Sequence, residues 1–90
     1  MKREGKEYAN GLASAIGKQL KARRMERGLS MQNVADACFI SKPMYFHYES
    51  GKISMTISTF ILICEYLGLN YILVVEKARD MVEESIKESV

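Results

Sequence analysis

Lys42, Pro43, Met44, Phe46 and His47 fall within the run S-K-P-M-Y-F-H-Y-E-S-G from Ser41 to Gly51, and this is where the sequence has chemistry to offer. They supply an ammonium with three donors, an imidazole that donates or accepts, and three apolar surfaces. Such a set grips a surface by hydrogen bonds and contact rather than making or breaking bonds. The chain has one His, no carboxylate pair placed for a cleft and no glycine-rich phosphate loop, so no enzyme activity and no cofactor are expected. His47 has no second ligand one helical turn away, so no metal site is expected either. Cys38 and Cys64 lie singly on apolar faces without a Cys-x-x-Cys pattern. They read as buried small hydrophobes in a reducing compartment, with a disulfide or metal site as the alternative.

The stretch from Ser30 to Lys52 must position these groups, and it reads as two short helices joined by a tight turn. Gly28-Leu29 breaks what precedes, Ser30 is a good N-cap, and Val34, Ala35 and Cys38 then share one helical face. Ser41 is a second N-cap, Pro43 sits in the first turn where its missing N–H costs nothing, and Gly51 stops the helix as a left-handed residue. Inside this second helix Tyr45, Tyr48 and Glu49 point inward, which leaves the five residues above pointing outward.

Ninety residues make one small domain, and 48% apolar with 27% charged residues suits a folded globule. The longest apolar runs, F-I-L-I-C at 60–64 and Y-I-L-V-V at 71–75, are far short of the roughly 20 residues that span a bilayer, and the N-terminus is charged where a signal peptide is apolar. A cytoplasmic protein with no membrane partner is expected. Net charge is only +2, but it is unevenly spread. Residues 1–30 carry eight Lys/Arg against three Glu (+5), residues 31–70 two against three (−1), and residues 71–90 three against five (−2).

The run I-G-K-Q-L-K-A-R-R-M-E-R-G-L-S from Ile16, V-A at 34–35, I-S-K at 40–42, Y-x-x-Y-E-S-G-K at 45–52 and L-G-L at 67–69 resembles the Cro and phage-repressor (XRE-type) helix-turn-helix family. The match covers roughly residues 12–70. The resemblance implies an all-α, five-helix, lambda-repressor-like domain in which helix 42–50 enters the major groove of double-stranded DNA and the helix before it crosses the backbone. It implies base reading by Lys42, Pro43, Met44, Phe46 and His47, and phosphate contacts from Ser30, Met31, Gln32, Ser50 and Lys52. It also implies a structural ion pair between Arg24 and Glu49, consistent with the need of an inward Glu for a bidentate partner. Two positions depart from the family pattern. Met31 stands where Gln usually opens the first motif helix, and Phe39 stands where the tight turn usually has Gly, so Phe39 must either avoid positive φ or accept strain.

The flanking segments complete the expectation. Residues 1–11, polar and ending in Asn-Gly, read as a flexible basic arm whose Lys2, Arg3 and Lys6 are placed to follow phosphates, with Ala9–Ile16 as a possible upstream extension of the first helix. Residues 12–69 form the helix-turn-helix domain, its first helix covering about 12–27. Helix four, about 57–67, is capped by Thr56 and closed by Gly68, with Ile57, Phe60, Ile63, Cys64 and Leu67 inward. Ile61, Leu62 and Tyr66 fall outside that stripe and point to a subunit interface. Residues 70–75, β-branched and apolar on both faces, favour a short β-strand that pairs with its copy across a homodimer, bringing Tyr71, Leu73 and Val75 to the interface. Residues 76–90 read as a final short amphipathic helix. Some antitoxin members of the family carry such a strand.

Two functions follow. One is a sequence-specific transcriptional regulator, a repressor that binds a palindromic operator as a homodimer. The other is an antitoxin-like or antirepressor-like interaction module on the same scaffold, with a toxin or other protein as partner and DNA binding weak or secondary.

Overall fold

Local capping dictates where each helix begins and ends. A computed structural model of the chain describes residues 2–88, with side chains from Gly5 onward, as α1 (Lys2–Glu26), α2 (Met31–Ala37), α3 (Lys42–Ser50), α4 (Ile57–Leu67) and α5 (Tyr71–Glu88). The Ser30 hydroxyl accepts from Asn33 N at 3.0 Å while Asn33 Oδ1 accepts from Ser30 N at 3.0 Å, a reciprocal capping box that starts α2. Ser41 caps α3 through Met44 N and Thr56 caps α4 through Thr59 N. Gly51 (φ 71°) and Gly68 (φ 74°) close α3 and α4 in the left-handed conformation that only glycine enters freely.

The helices enclose one main core. Leu20 from α1, Val34, Ala35 and Cys38 from α2 and its C-cap, Tyr45 and Tyr48 from α3, Phe60, Ile63, Cys64 and Leu67 from α4, and Val74 from α5 are all buried together. A second cluster joins α1 to α5: Ala15 packs with Ala78 and Val82, and Tyr8, Leu12, Ile16 and Met81 cover it. Ile16 touches both clusters and makes the core continuous.

Three expectations change. The 70–75 segment is not a strand; residues 71–75 open α5, and among the described residues no strand occurs. The reason is local. Asn70 caps the segment, its Oδ1 accepting from Ile72 N at 2.9 Å and Leu73 N at 3.2 Å, and Val74, Ala78 and Val82 then recur every four residues on the buried side. The alternation of a half-buried strand is absent, and a lone strand would leave its backbone unpaired.

Residues 2–11 are helical rather than a flexible arm, because α5 supplies a surface for Tyr8 and Leu12 that the sequence order hides. Gly11 permits the approach: a Cβ there would lie 3.2 Å from Val82 Cγ2. The side chains of Lys2 and Arg3, named above as phosphate-tracking groups, lie outside the described residues. Third, Ile57 points outward, 66% exposed, because it opens α4 ahead of the turn that meets the core.

Cys64 is free and fully buried, and burial pushes its thiol up from 9.0 to about 11. The unfolded chain releases this proton near the ordinary value, whereas the folded chain holds it. The contribution is therefore complete below about pH 9 and lost as pH rises toward 11, amounting to about 3 kcal/mol. Urea midpoints are expected to fall across that window in the parent and to fall less in Cys64→Ala; equal slopes for the two proteins would assign the loss to other groups.

Candidate nucleic-acid interface

α3 is held from behind by backbone contact and by a buried charge pair. A Cβ on Gly17 of α1 would lie 2.6 Å from Tyr48 O and inside contact of Glu49 O, and one on Gly51 would lie 2.6 Å from Ser14 Cα. The last turn of α3 therefore rests on the α1 backbone with no side chain between them. Further along α1, Arg24 Nε and Nη2 donate to the two carboxylate oxygens of Glu49 at 2.5 and 3.1 Å, and Nη1 donates to Leu29 O at 2.9 Å. One side chain thus ties α1, α3 and the approach to α2.

Both partners are buried, and the hydrogen bonds to Glu49 raise the Arg24 guanidinium above its ordinary value against the opposing effect of desolvation. Tyr45 lies beside the pair. Burial and the adjacent Glu49 push its phenol above the usual range, and its hydroxyl makes no hydrogen bond of good geometry.

With Tyr45, Tyr48 and Glu49 turned inward, Lys42, Pro43, Met44 and Phe46 stand exposed on the far side. His47 is half-buried. Its ring centroid lies 5.6 Å from that of Phe46, and its Nδ1 is enclosed without a hydrogen-bond partner.

The residues expected to meet phosphates behave less uniformly. Ser30 is exposed but its hydroxyl is engaged in the capping box, Gln32 Nε2 donates to Asp36 Oδ1 at 2.7 Å, and Met31 packs half-buried on the core. What α2 retains toward an anion is its backbone N-terminus beside these groups. Ser50 Oγ donates back to Phe46 O at 2.7 Å, while Lys52 is exposed just past the end of α3.

Phe39, in the turn between α2 and α3, takes φ 59° with 87% of its surface exposed. The turn keeps the geometry that a glycine would give it and carries the strain of a bulky residue in that region.

Sequence reading also overstated the free charge of the N-terminal third. Arg23 Nε donates to Leu67 O at 2.9 Å and its Nη2 to Gly68 O at 3.4 Å, and Arg27 Nη1 donates to Tyr66 O at 3.1 Å. Both guanidiniums cover the C-terminal carbonyls of α4, where the helix dipole favours a cation. With Arg24 paired to Glu49, Arg23, Arg24 and Arg27 are all engaged within the fold.

Of the residues expected at a subunit interface, Leu62, Tyr66, Tyr71, Leu73 and Val75 are exposed and Ile61 is half-buried, but on helical α5 Leu73 lies across from Tyr71 and Val75 rather than beside them. Ile53, which sequence reading missed, and Ile57, which it assigned to the core, border with Val75 an apolar groove of about 300 Å³ between α1, α4 and the start of α5. Among the described residues no group of His, Cys, Asp or Glu could hold a metal ion, and no single helix is long and apolar enough to cross a membrane.

A short capped helix, a tight turn, and a second helix buttressed from behind with its outer face bare form a helix-turn-helix, the arrangement of a DNA-binding domain. The family model described as helix-turn-helix matches residues 20–72, more than half of the chain, and the protein belongs to that family. Two solved structures of the clp gene regulator ClgR from Corynebacterium glutamicum share the fold. One superposes with a TM-score of 0.78 at 20% identity, covering 87% of this chain and 83% of that one. The other gives 0.71 at 23% identity, covering 78% and 91%. No curated protein matches the sequence.

Proposed function

We propose that the protein represses transcription as a homodimer on a palindromic operator, with α3 of each subunit in successive major grooves about 34 Å apart. The observation that carries this reading is the contrast between the two sides of α3. Its inner side is fixed by Gly17 and Arg24, and its outer side is left without cover. Rigid presentation of a bare helix face suits a groove reader, because misplacement by even an ångström forfeits base contacts.

Selection of duplexes from a random library at about 150 mM salt tests it, since affinity means little without the salt concentration. An inverted repeat with fixed spacing supports the reading, and no enrichment by the folded protein overturns it. Within a selected site Lys42→Ala is expected to relax base preference by about 1–3 kcal/mol, whereas Lys52→Ala weakens all sequences alike and lowers the salt slope by about one. Equal losses on specific and random DNA for Lys42→Ala would move that residue to the phosphate class.

Self-association through α4 and α5 has its support in exposed apolar pairs one helical turn apart, Leu62 with Tyr66 on α4 and Tyr71 with Val75 on α5. Val75→Glu is expected to convert a dimer into a monomer by light scattering, and a variant that remains dimeric would sink this face. A toxin or other protein partner is the second reading, favoured by the apolar outer face of α3 and the groove beside Ile57. It prevails if the library selection fails.

A further inference from the structure

The outer face of α3 is distinctive in what it lacks. Side chains that identify a base by paired hydrogen bonds are Arg or Lys on guanine and Asn or Gln on adenine. Between Ser41 and Gly51 only Lys42 belongs to that group. His47 is partly withdrawn, with Nδ1 enclosed and its ring against that of Phe46.

The remainder of the face is apolar. Pro43 shares the outward line of the helix with His47, four residues on, and Met44 and Phe46 lie to either side, 39% and 45% exposed. The apolar group that base edges present in the major groove is the C5 methyl of thymine, and 5-methylcytosine carries the same methyl at the same ring position.

We infer that α3 reads DNA chiefly through pyrimidine C5 methyl groups, of thymine and 5-methylcytosine alike, with Met44 and Phe46 as the contacts and Lys42 as the hydrogen-bonding anchor. This inference rests on the DNA-binding reading above and specifies its substrate. The two apolar contacts have complementary properties. Met44 is unbranched and adapts to where a methyl lies, while Phe46 is a rigid surface fixed on one side by the His47 ring.

Such a face distinguishes bases by the methyl groups it buries rather than by donors left unpaired. Burying one methyl is worth about a four-fold change in affinity, whereas a lost bidentate pair is worth about 5- to 150-fold. The expected specificity is therefore shallow at each position and accumulates over several. It also depends on covalent methylation of cytosine, which a hydrogen-bonding reader of guanine would not sense at the same edge.

The experiment uses the full chain and duplexes recovered from the random library. Each thymine of the half-site is replaced in turn by deoxyuridine, and each cytosine by 5-methylcytosine. The expected result is a loss of about four-fold for each contacted thymine that loses its methyl, and a gain of similar size where a methylated cytosine replaces a plain one at a contacted position. The thymine-to-uracil ratio falls toward one in Phe46→Ala and Met44→Ala, while Lys42→Ala keeps that ratio.

Affinity unchanged through the whole uracil series, or a recovered half-site without thymine, overturns methyl reading and leaves DNA binding standing. A library that yields no bound duplex overturns both. A thymine-to-uracil ratio that survives in both apolar variants also overturns the assignment, because the methyl is then met by another part of the chain.

Discussion

Arg24→Ala is expected to lower the unfolding free energy by about 3–5 kcal/mol, a large share of the total stability of a domain this small. Alanine removes the cation that the fold places against Glu49, and leaves a carboxylate 6% exposed with two empty acceptors. It also strips Leu29 O of its donor, loosening the entry to α2. The loss is mostly the cost of an orphaned charge, not the worth of the pair. Hence Arg24→Met combined with Glu49→Leu, which removes both charges and fills similar volume, is expected to recover most of the stability.

Urea denaturation of the parent, the single variant and the double variant measures this. If Arg24→Ala unfolds at the parent's urea concentration, the pair does not hold α3. If the double variant is as weak as the single one, the damage lies in lost packing around Tyr45 rather than in the charge.

Legibility in the sequence followed the range of the interactions involved. Ser30, Ser41, Thr56, Gly51 and Gly68 act within four residues of themselves, so the boundaries of α2, α3 and α4 could be read directly. The inward set of α3, Tyr45, Tyr48 and Glu49, follows from period alone. The ends of the chain could not be read this way. Residues 2–11 are helical because Tyr8 and Leu12 meet Val82 and Met81, some seventy residues on, and residues 70–75 carry a local composition that suits either state.

Asn70 was the available signal there. It sits one residue before the apolar run, where a capping side chain turns the choice toward helix. The positive φ of Phe39 was legible as a demand of the turn but not as an outcome, since the family fold and the intrinsic cost of the residue oppose each other. The inward use of Arg23 and Arg27 was hidden in the same way, because charge counting along a chain does not say which cations meet carbonyls.

Gly17→Ala is expected to destabilise the protein by about 2–3 kcal/mol and to shift α3, although propensity alone predicts a gain of about 1 kcal/mol from the same change in a helix interior. The atoms a Cβ would strike are Glu49 O, Tyr48 O at 2.6 Å and Glu49 C at 2.8 Å, all backbone of the last turn of α3. No side-chain rotation relieves them. α1 and α3 must separate, which stretches the Arg24–Glu49 bonds and moves the helix whose outer face carries the proposed contacts.

Gly5→Ala is the matched control: it lies in the same helix with nothing within 4 Å of an added Cβ, so it is expected to stabilise by up to about 1 kcal/mol. Opposite signs from two identical substitutions in one helix isolate the contact from the propensity. DNA affinity measured where both variants are fully folded then reads the displacement of α3, with Gly17→Ala weakened and Gly5→Ala unchanged. If Gly17→Ala is as stable as Gly5→Ala, α1 does not bear on the recognition helix at this glycine, and its position must be set by the ion pair and the core beneath it.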